Sequence, residues 1–392
     1  MEVADSSGLS PPRILFLQAT DPANYPPLMH ASMLMAEAGW EVTFLSAPVF
    51  DWPIALPSHP HVNVRTIRPR PSHVMRSFDY ALYTANSAKL ALRLRPDVVY
   101  ASDSLGAGPG LLAASLVGAV LVYHEHDSPR LGSLNRIVAQ LRKTTARSAR
   151  LVVFPNEARA RLAQSELAFS DDKLRIVWNV PRRQEIVPSA ATTDSPLIIY
   201  YHGGITPERL PETVALAVRR MAGRVLLRIA GYEAPGAHGY VKHLMGYQDG
   251  AKEQVLIEYV GSLPQRADLL AEAARAHVGL SLIPLNSGDD INMSHMAGAS
   301  NKPFDYMAAG LALLVSDLPD WTRMFVEPGF GLACDPADLD SLSVALTWFI
   351  DHPEGRRAMV ARARNKIEAE WNYDKQFRDV LKYLESAQTI AK

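Results

Sequence analysis

The stretch Ser300-Asn301-Lys302-Pro303-Phe304-Asp305-Tyr306-Met307-Ala308-Ala309-Gly310, continuing through Leu311-Ala312-Leu313-Leu314-Val315-Ser316-Asp317, decides the fold. It reads as a polar loop, a short helix, a glycine stop and a buried strand. Ser300 or Asn301 is placed to cap the helix, and Pro303 suits a first turn, where a missing N–H costs nothing. Phe304, Met307 and Ala308 fall at i, i+3 and i+4 and make one apolar face. Gly310 supplies the break. The helix start then offers orphan N–H groups with a cation beside them (Lys302) and a carboxylate one turn in (Asp305), a combination that attracts phosphate.

The same pattern recurs outward from this point. Arg13–Gln18, Glu41–Ser46, Val62–Ile67, Asp97–Ala101, Val120–Tyr123 and Leu151–Phe154 are short apolar strands, and helical spacing fills the gaps between them. After the Pro-bearing stretch from Arg182 to Pro196 the alternation restarts with Leu197–His202, Val225–Ala230, Val255–Val260, Val278–Ile283 and Ala312–Val315. Strand alternating with helix predicts a parallel sheet covered on both faces, built twice. A chain of 392 residues is long enough for two such domains. The boundaries read as 13–185 for the first domain, 197–370 for the second and 371–392 for a terminal helix with Phe377, Val380, Leu381 and Leu384 on one face.

Composition narrows the function classes. Charged residues make up 21% and apolar residues 48%, as in ordinary globular proteins, and the net charge of -1 gives no case for nucleic acid. The single cysteine, Cys334, rules out an intrachain disulfide and fits a reducing, cytoplasmic setting. Met1–Pro12 is polar and acidic and does not read as a signal peptide. Leu105–Tyr123 is uncharged over 19 residues, but its Gly and Ala content and Pro109 favour a packed helix and strand over a membrane span.

Three further stretches carry polar chemistry. His202-Gly203-Gly204 follows the first strand of the second half, with Arg209 five residues on; paired glycines admit a ligand's backbone approach and the cation suits phosphate. It is not the dinucleotide fingerprint, whose third glycine is missing. Tyr123-His124-Glu125-His126-Asp127 ends a buried strand and could ligate zinc, act as acid and base, or contact sugar hydroxyls. Asn286–Gly298 is a long polar loop containing Asp289, Asp290 and His295, whose spacing matches no metal site.

The segment Ser-Asn-Lys-x-Phe-Asp-Tyr-Met-Ala-Ala-Gly before an apolar strand and Ser-Asp resembles the donor site of retaining, nucleotide-sugar-dependent glycosyltransferases of the GT-B fold, family 4. The resemblance implies an α/β fold of two Rossmann-like domains facing across a cleft, the terminal helix crossing back to the first. It implies that Arg209 and Lys302 clamp the donor diphosphate, that Asp305 holds the ribose, and that Gly203, Gly204, Gly231, Gly261 and Asn301 line the donor site. The family's first glutamate would fall at Ala297 and is missing here. The resemblance assigns His126 a contact near the reacting carbon. The loop Thr20-Asp-Pro-Ala-Asn-Tyr-Pro, where the family usually has two glycines, would face the acceptor with Asp21, Asn24, His30 and His124. No catalytic metal or cofactor is implied. The acceptor is left open among a glycan, a lipid-linked sugar and a small molecule. A helix with Leu134, Ile137, Val138 and Leu141 on one side and Arg136, Lys143, Arg147 and Arg150 on the other suggests a contact with anionic membrane. Two other readings share the fold: a sugar-nucleotide epimerase and a non-catalytic partner subunit, the latter favoured by Ala297.

Overall fold

The computed structural model describes residues 10–391 apart from 49–54, 57, 69–76, 131, 192, 249–255, 287 and 289. The chain divides into two compact units, Met1–Trp52 with Leu56–Ile176 and Phe377–Lys392, and Pro53–Ala55 with Val177–Gln376.

In the first unit β1 (Arg13–Gln18), α1 (Pro26–Glu37), β2 (Glu41–Ser46) and β3 (Val62–Thr66) are followed by α2 (Ser77–Leu94) and β4 (Val98–Ser102). Next come α3 (Asp103–Val117), β5 (Val120–His124), α4 (Arg136–Ser148), β6 (Leu151–Phe154), α5 (Glu157–Leu167) and β7 (Leu174–Ile176). The strands form one parallel sheet in the order β3-β2-β1-β4-β5-β6-β7, so the direction of winding reverses between β1 and β4. Side chains at the carboxyl ends of β1, β4 and β5 therefore converge on that switch point. Every residue of β4 and β6 is buried, which is why these strands read as unbroken apolar runs.

The helix α3 explains the long uncharged stretch. A Cβ on Gly106 would lie 2.8 Å from the Leu17 carbonyl oxygen, and one on Gly110 only 2.4 Å from the Ala101 Cβ. Glycine at both positions lets α3 rest directly on β1 and β4. No connecting residue separates β4 from α3, and the reversal is taken by Asp103 itself at φ 57. Among the described residues no helix is long and apolar enough to cross a membrane.

The second unit contains β8 (Leu197–Ile205), α6 (Glu212–Arg220), β9 (Val225–Glu233), α7 (Tyr240–Met245), β10 (Ile257–Gly261), α8 (Arg266–Ala273) and β11 (Val278–Ser281). It continues with α9 (Ile291–Ser294), α10 (Lys302–Ala308), β12 (Ala312–Ser316), α11 (Pro319–Trp321) and β13 (Gly331–Cys334). It closes with α12 (Leu339–Asp351), α13 (Pro353–Ala369) and α14 (Tyr373–Gln376), while α15 (Arg378–Ala391) belongs to the first unit. The sheet order is β10-β9-β8-β11-β12-β13, again parallel and again reversing at its centre. Fully buried Leu227, Ile229, Leu280, Leu314 and Phe349 belong to its core, each worth roughly 1.5–3 kcal/mol against exposure.

The stretch read as a connector, Arg182–Pro196, packs along the second unit. The Val187 amide donates to the Ala308 carbonyl at 3.0 Å, the Ala190 amide to the Ala274 carbonyl at 2.7 Å, and Arg182 pairs with Asp374 at 3.0 Å. Asp194 meets Arg357 at 2.8 Å and also pairs with Arg356.

Candidate functional site

Each unit carries its own cluster of candidate residues. In the second unit β8 does not stop at His202; it runs on through Gly203 and Gly204 and stays paired to β9, Gly203 opposite Gly231. The pairing is very close there. A Cβ on Gly231, at φ +146, would sit 2.0 Å from the Gly203 carbonyl oxygen. The glycines thus remove side chains where the strands end. The Gly231 carbonyl is held in turn by the Tyr259 hydroxyl at 2.8 Å and the Ser262 hydroxyl at 3.1 Å, on either side of Gly261.

Lys302 fills the space left at Gly203: its Nζ is 3.5 Å from where a Cβ would stand, and 5.5 Å from the centre of the Tyr201 ring. Burial and the neighbouring Arg209 charge push its ammonium down to about 7. The two groups repel one another, and among the described residues neither has an ion pair, so both can serve an anion.

Asp305 is placed differently from the expectation. Its side chain is fully buried and its carboxylate is occupied by Arg266, at 2.6 Å to Oδ1 and 3.2 Å to Oδ2. Asn301 Nδ2 donates to Oδ2 at 3.0 Å instead of capping α10, and His202 Nε2 stands 3.6 Å away. Arg266 reaches on to Glu185 at 2.6 Å. Asp305 therefore organises the floor beneath Lys302 and does not present free oxygens to a ribose. Burial draws His202 down to about 3, so it is neutral, despite the opposing pull of Asp305. Where the resemblance expects a glutamate, the Ala297 amide donates to Asp320 at 3.2 Å. The Gly298 and Ala299 carbonyls accept from Asn179 at 2.7 and 2.5 Å. Asp289 lies outside the described residues, and among these no group of three or more His, Cys, Asp or Glu could hold a metal ion.

In the first unit His124 and His126 lie with ring centres 3.7 Å apart. Tyr100 shares a 2.8 Å hydrogen bond with His124 Nδ1, while His124 Nε2 and both nitrogens of His126 have no partner. Burial, then the neighbouring His126, pushes His124 far down; burial, then Arg159, brings His126 to about 3. Both rings are neutral at ordinary pH. Glu125, between them, points the other way. It takes Arg142 Nε and Nη2 at 2.7 Å each, with the Tyr123 hydroxyl at 2.6 Å and the Ser128 hydroxyl at 2.7 Å. It is a structural anchor and not an acid or base.

Asp103 was not anticipated. Its Oδ1 accepts the His126 amide at 2.8 Å and the Asp127 amide at 3.3 Å, and its Oδ2 accepts Gln18 Nε2 at 3.3 Å. Burial, with Asp127 adding repulsion, raises its carboxyl to about 7. The signal was present in the sequence, since Asp103 follows a buried strand just as His124 does. Of the loop residues, Asp21 caps a short turn by accepting the Ala23 amide at 3.0 Å, and Asn24 leaves its Oδ1 without a partner. Tyr25 brings its ring to 5.3 Å from that of His126. His30 is buried within α1. The expected basic helix is turned otherwise than its spacing suggested: Val138, Arg142, Thr145 and Ala146 face inward, while Ile137 is 74% exposed beside Arg136.

Two parallel, doubly wound units, one with a cationic site at its sheet edge and the other with a histidine turn, have the GT-B fold. A glycosyltransferase family 4 model matches residues 29–180 and a glycosyl transferase-like model matches residues 213–382. Together they span most of the chain, which belongs to the GT-B glycosyltransferases of the family 4, group 1 type. Among solved structures, sucrose-phosphate synthase from Thermosynechococcus elongatus is similar with a TM-score of 0.72 at 13% identity, over 96% of this chain and 100% of that one. HepE of Anabaena, solved in complex with UDP, has a TM-score of 0.69 at 14% identity, over 95% of this chain and 100% of that one. A UDP-N-acetylglucosamine–N-acetylmuramyl-(pentapeptide) pyrophosphoryl-undecaprenol N-acetylglucosamine transferase of Tolumonas auensis is 29% identical over 126 residues. That match spans 30% of this chain and 34% of the relative's length.

Proposed function

We propose that this chain transfers a sugar from a nucleoside-diphosphate-sugar to an acceptor hydroxyl, with retention of anomeric configuration and without a catalytic metal. The observation that carries this reading is the pair of unneutralised cations, Arg209 and Lys302, beside the bare Gly203–Gly231 pair. The bond from the anomeric carbon to the diphosphate oxygen breaks, and the departing charge develops next to these cations. The acceptor oxygen attacks from the leaving-group side, and its proton passes to a diphosphate oxygen. His126 serves as a neutral contact for the transferred sugar. The UDP bound by HepE supports a nucleotide donor.

The test is a thermal-shift panel of UDP, GDP, ADP and TDP on wild type, Arg209→Ala and Lys302→Ala. One base should stabilise wild type by about 2.7 kcal/mol at a hundred times its dissociation constant, with little effect on the variants. A flat response to every nucleotide refutes the reading. For the membrane, we propose that the outer face of α4, with Arg136, Ile137, Lys143 and Arg147, meets anionic lipid in a cytoplasmic setting. Co-sedimentation with phosphatidylglycerol vesicles, lost in Ile137→Ser, is the expected result.

A further inference from the structure

Four elements bring unpartnered polar atoms to the carboxyl edge of the first unit's sheet. They are Gln18 Oε1 from β1, Asn24 Oδ1 from the loop after it, Ser102 Oγ from β4, and His124 Nε2 from the end of β5, next to the His126 ring nitrogens already given to the transferred sugar. Gln18 is 1% exposed, His124 0% and His126 3%, so these are buried groups awaiting hydrogen bonds and not surface residues in water. Unmet buried polar atoms of this kind need a partner that both donates and accepts, and ring hydroxyls do both. Neutral imidazoles, amide oxygens and a serine hydroxyl contribute no positive charge.

The charges nearby have the opposite sign. The same segments carry Asp21, Asp103 and Asp127. Asp103 lies under the His126–Asp127 turn and against Gln18, held in a left-handed backbone that only a firm local framework maintains. Arg159 and Arg142, which reach this turn, are already engaged. Arg159 donates to the His126 carbonyl at 2.9 Å and approaches Asp127 at 3.7 Å, and Arg142 is locked between Glu125 and Glu166.

Building on the glycosyltransferase reading, we propose that this edge selects an uncharged sugar as acceptor and rejects its phosphate ester. Asp103 is the specificity-determining residue: it orders the hydroxyl-binding turn and, ionised at pH 8, adds its charge to that of Asp127 in the same turn. A phosphorylated monosaccharide is recognised by paired cations; this edge provides carboxylates.

The experiment measures binding of glucose, galactose, mannose and N-acetylglucosamine, each beside its 6-phosphate, to the full chain by saturation-transfer NMR at pH 8 with UDP or GDP present. At least one neutral sugar should bind about tenfold or more tightly than its 6-phosphate. Asp103→Asn and the exposed-site variant Asp127→Asn should each narrow that ratio by raising affinity for the phosphate ester. A 6-phosphate that binds more tightly than its parent sugar overturns the proposal. So does a ratio that neither variant changes, or a set of neutral sugars none of which binds. Nucleotide affinity in the same samples reports the donor reading separately: if it survives while the sugar preference inverts, only the acceptor proposal falls.

Discussion

Arg142→Met provides the sharpest test of how the histidine turn is held. Glu125 and Arg142 are 0% and 2% exposed, and their two 2.7 Å contacts are bidentate. Removing the guanidinium leaves a buried carboxylate with only two hydroxyl donors, Tyr123 and Ser128. Breaking one side of a buried pair costs about 3–5 kcal/mol. At about 2–4 °C per kcal/mol for a unit of this size, the transition of the first unit should fall by roughly 6–20 °C. Differential scanning calorimetry, with urea unfolding followed by circular dichroism, reads it. Adding Glu125→Gln removes the orphaned charge while keeping an oxygen for one hydroxyl, so the double variant should recover about half the loss. A single-variant cost below about 1 kcal/mol, or a double variant weaker than the single, refutes the assignment.

Three more outcomes are expected. Burial and Arg209 bring the Lys302 ammonium down to about 7, and a diphosphate binds its protonated form. Nucleotide affinity should therefore decline about tenfold per pH unit above neutrality in isothermal titration, and Lys302→Met should flatten that dependence. Asp103 is raised from 3.8 to about 7, so the folded chain keeps a proton that the unfolded chain has released over that window. Its contribution is complete in acid and is lost as pH rises through about 7. Asp103→Asn, which keeps an oxygen for the His126 amide, should be more stable than wild type at pH 8 and not at pH 4. Gly231→Ala forces a Cβ to 2.0 Å from the Gly203 oxygen, and chemical denaturation should record a loss of about 2–4 kcal/mol; no loss would mean that the β8–β9 ends are looser than described.

The strand–helix alternation was legible because buried parallel strands are apolar throughout: β4, β6 and β12 have no polar face to confuse the pattern. The helix α13 escaped because its buried stripe is Arg356, Met359, Ala363 and Ile367, with an arginine where an apolar residue would announce it. Lys302 and Arg209 stand out in the sequence through chemistry and resemblance, and in the structure their charges interact. Asp305 was misread for a physical reason: its partner Arg266 is 39 residues away, a separation to which no local spacing is sensitive. The α4 face failed similarly. Nothing around Arg142 indicates that Glu125, 17 residues earlier, would draw it inward in place of the neighbouring isoleucine.

The capture of Asp305 by Arg266 also bears on how such a protein can change over generations. Carboxylate and guanidinium neutralise one another with no solvent on the acid side, so exchanging Arg266 strands the buried Asp305 charge, and exchanging Asp305 leaves Arg266 with Glu185 alone. A lineage could leave this arrangement only through two coordinated substitutions, the first of which weakens the fold. Position 305 is thereby shielded from drift by a residue on another helix, and variation in donor preference would arise first at the surrounding loops.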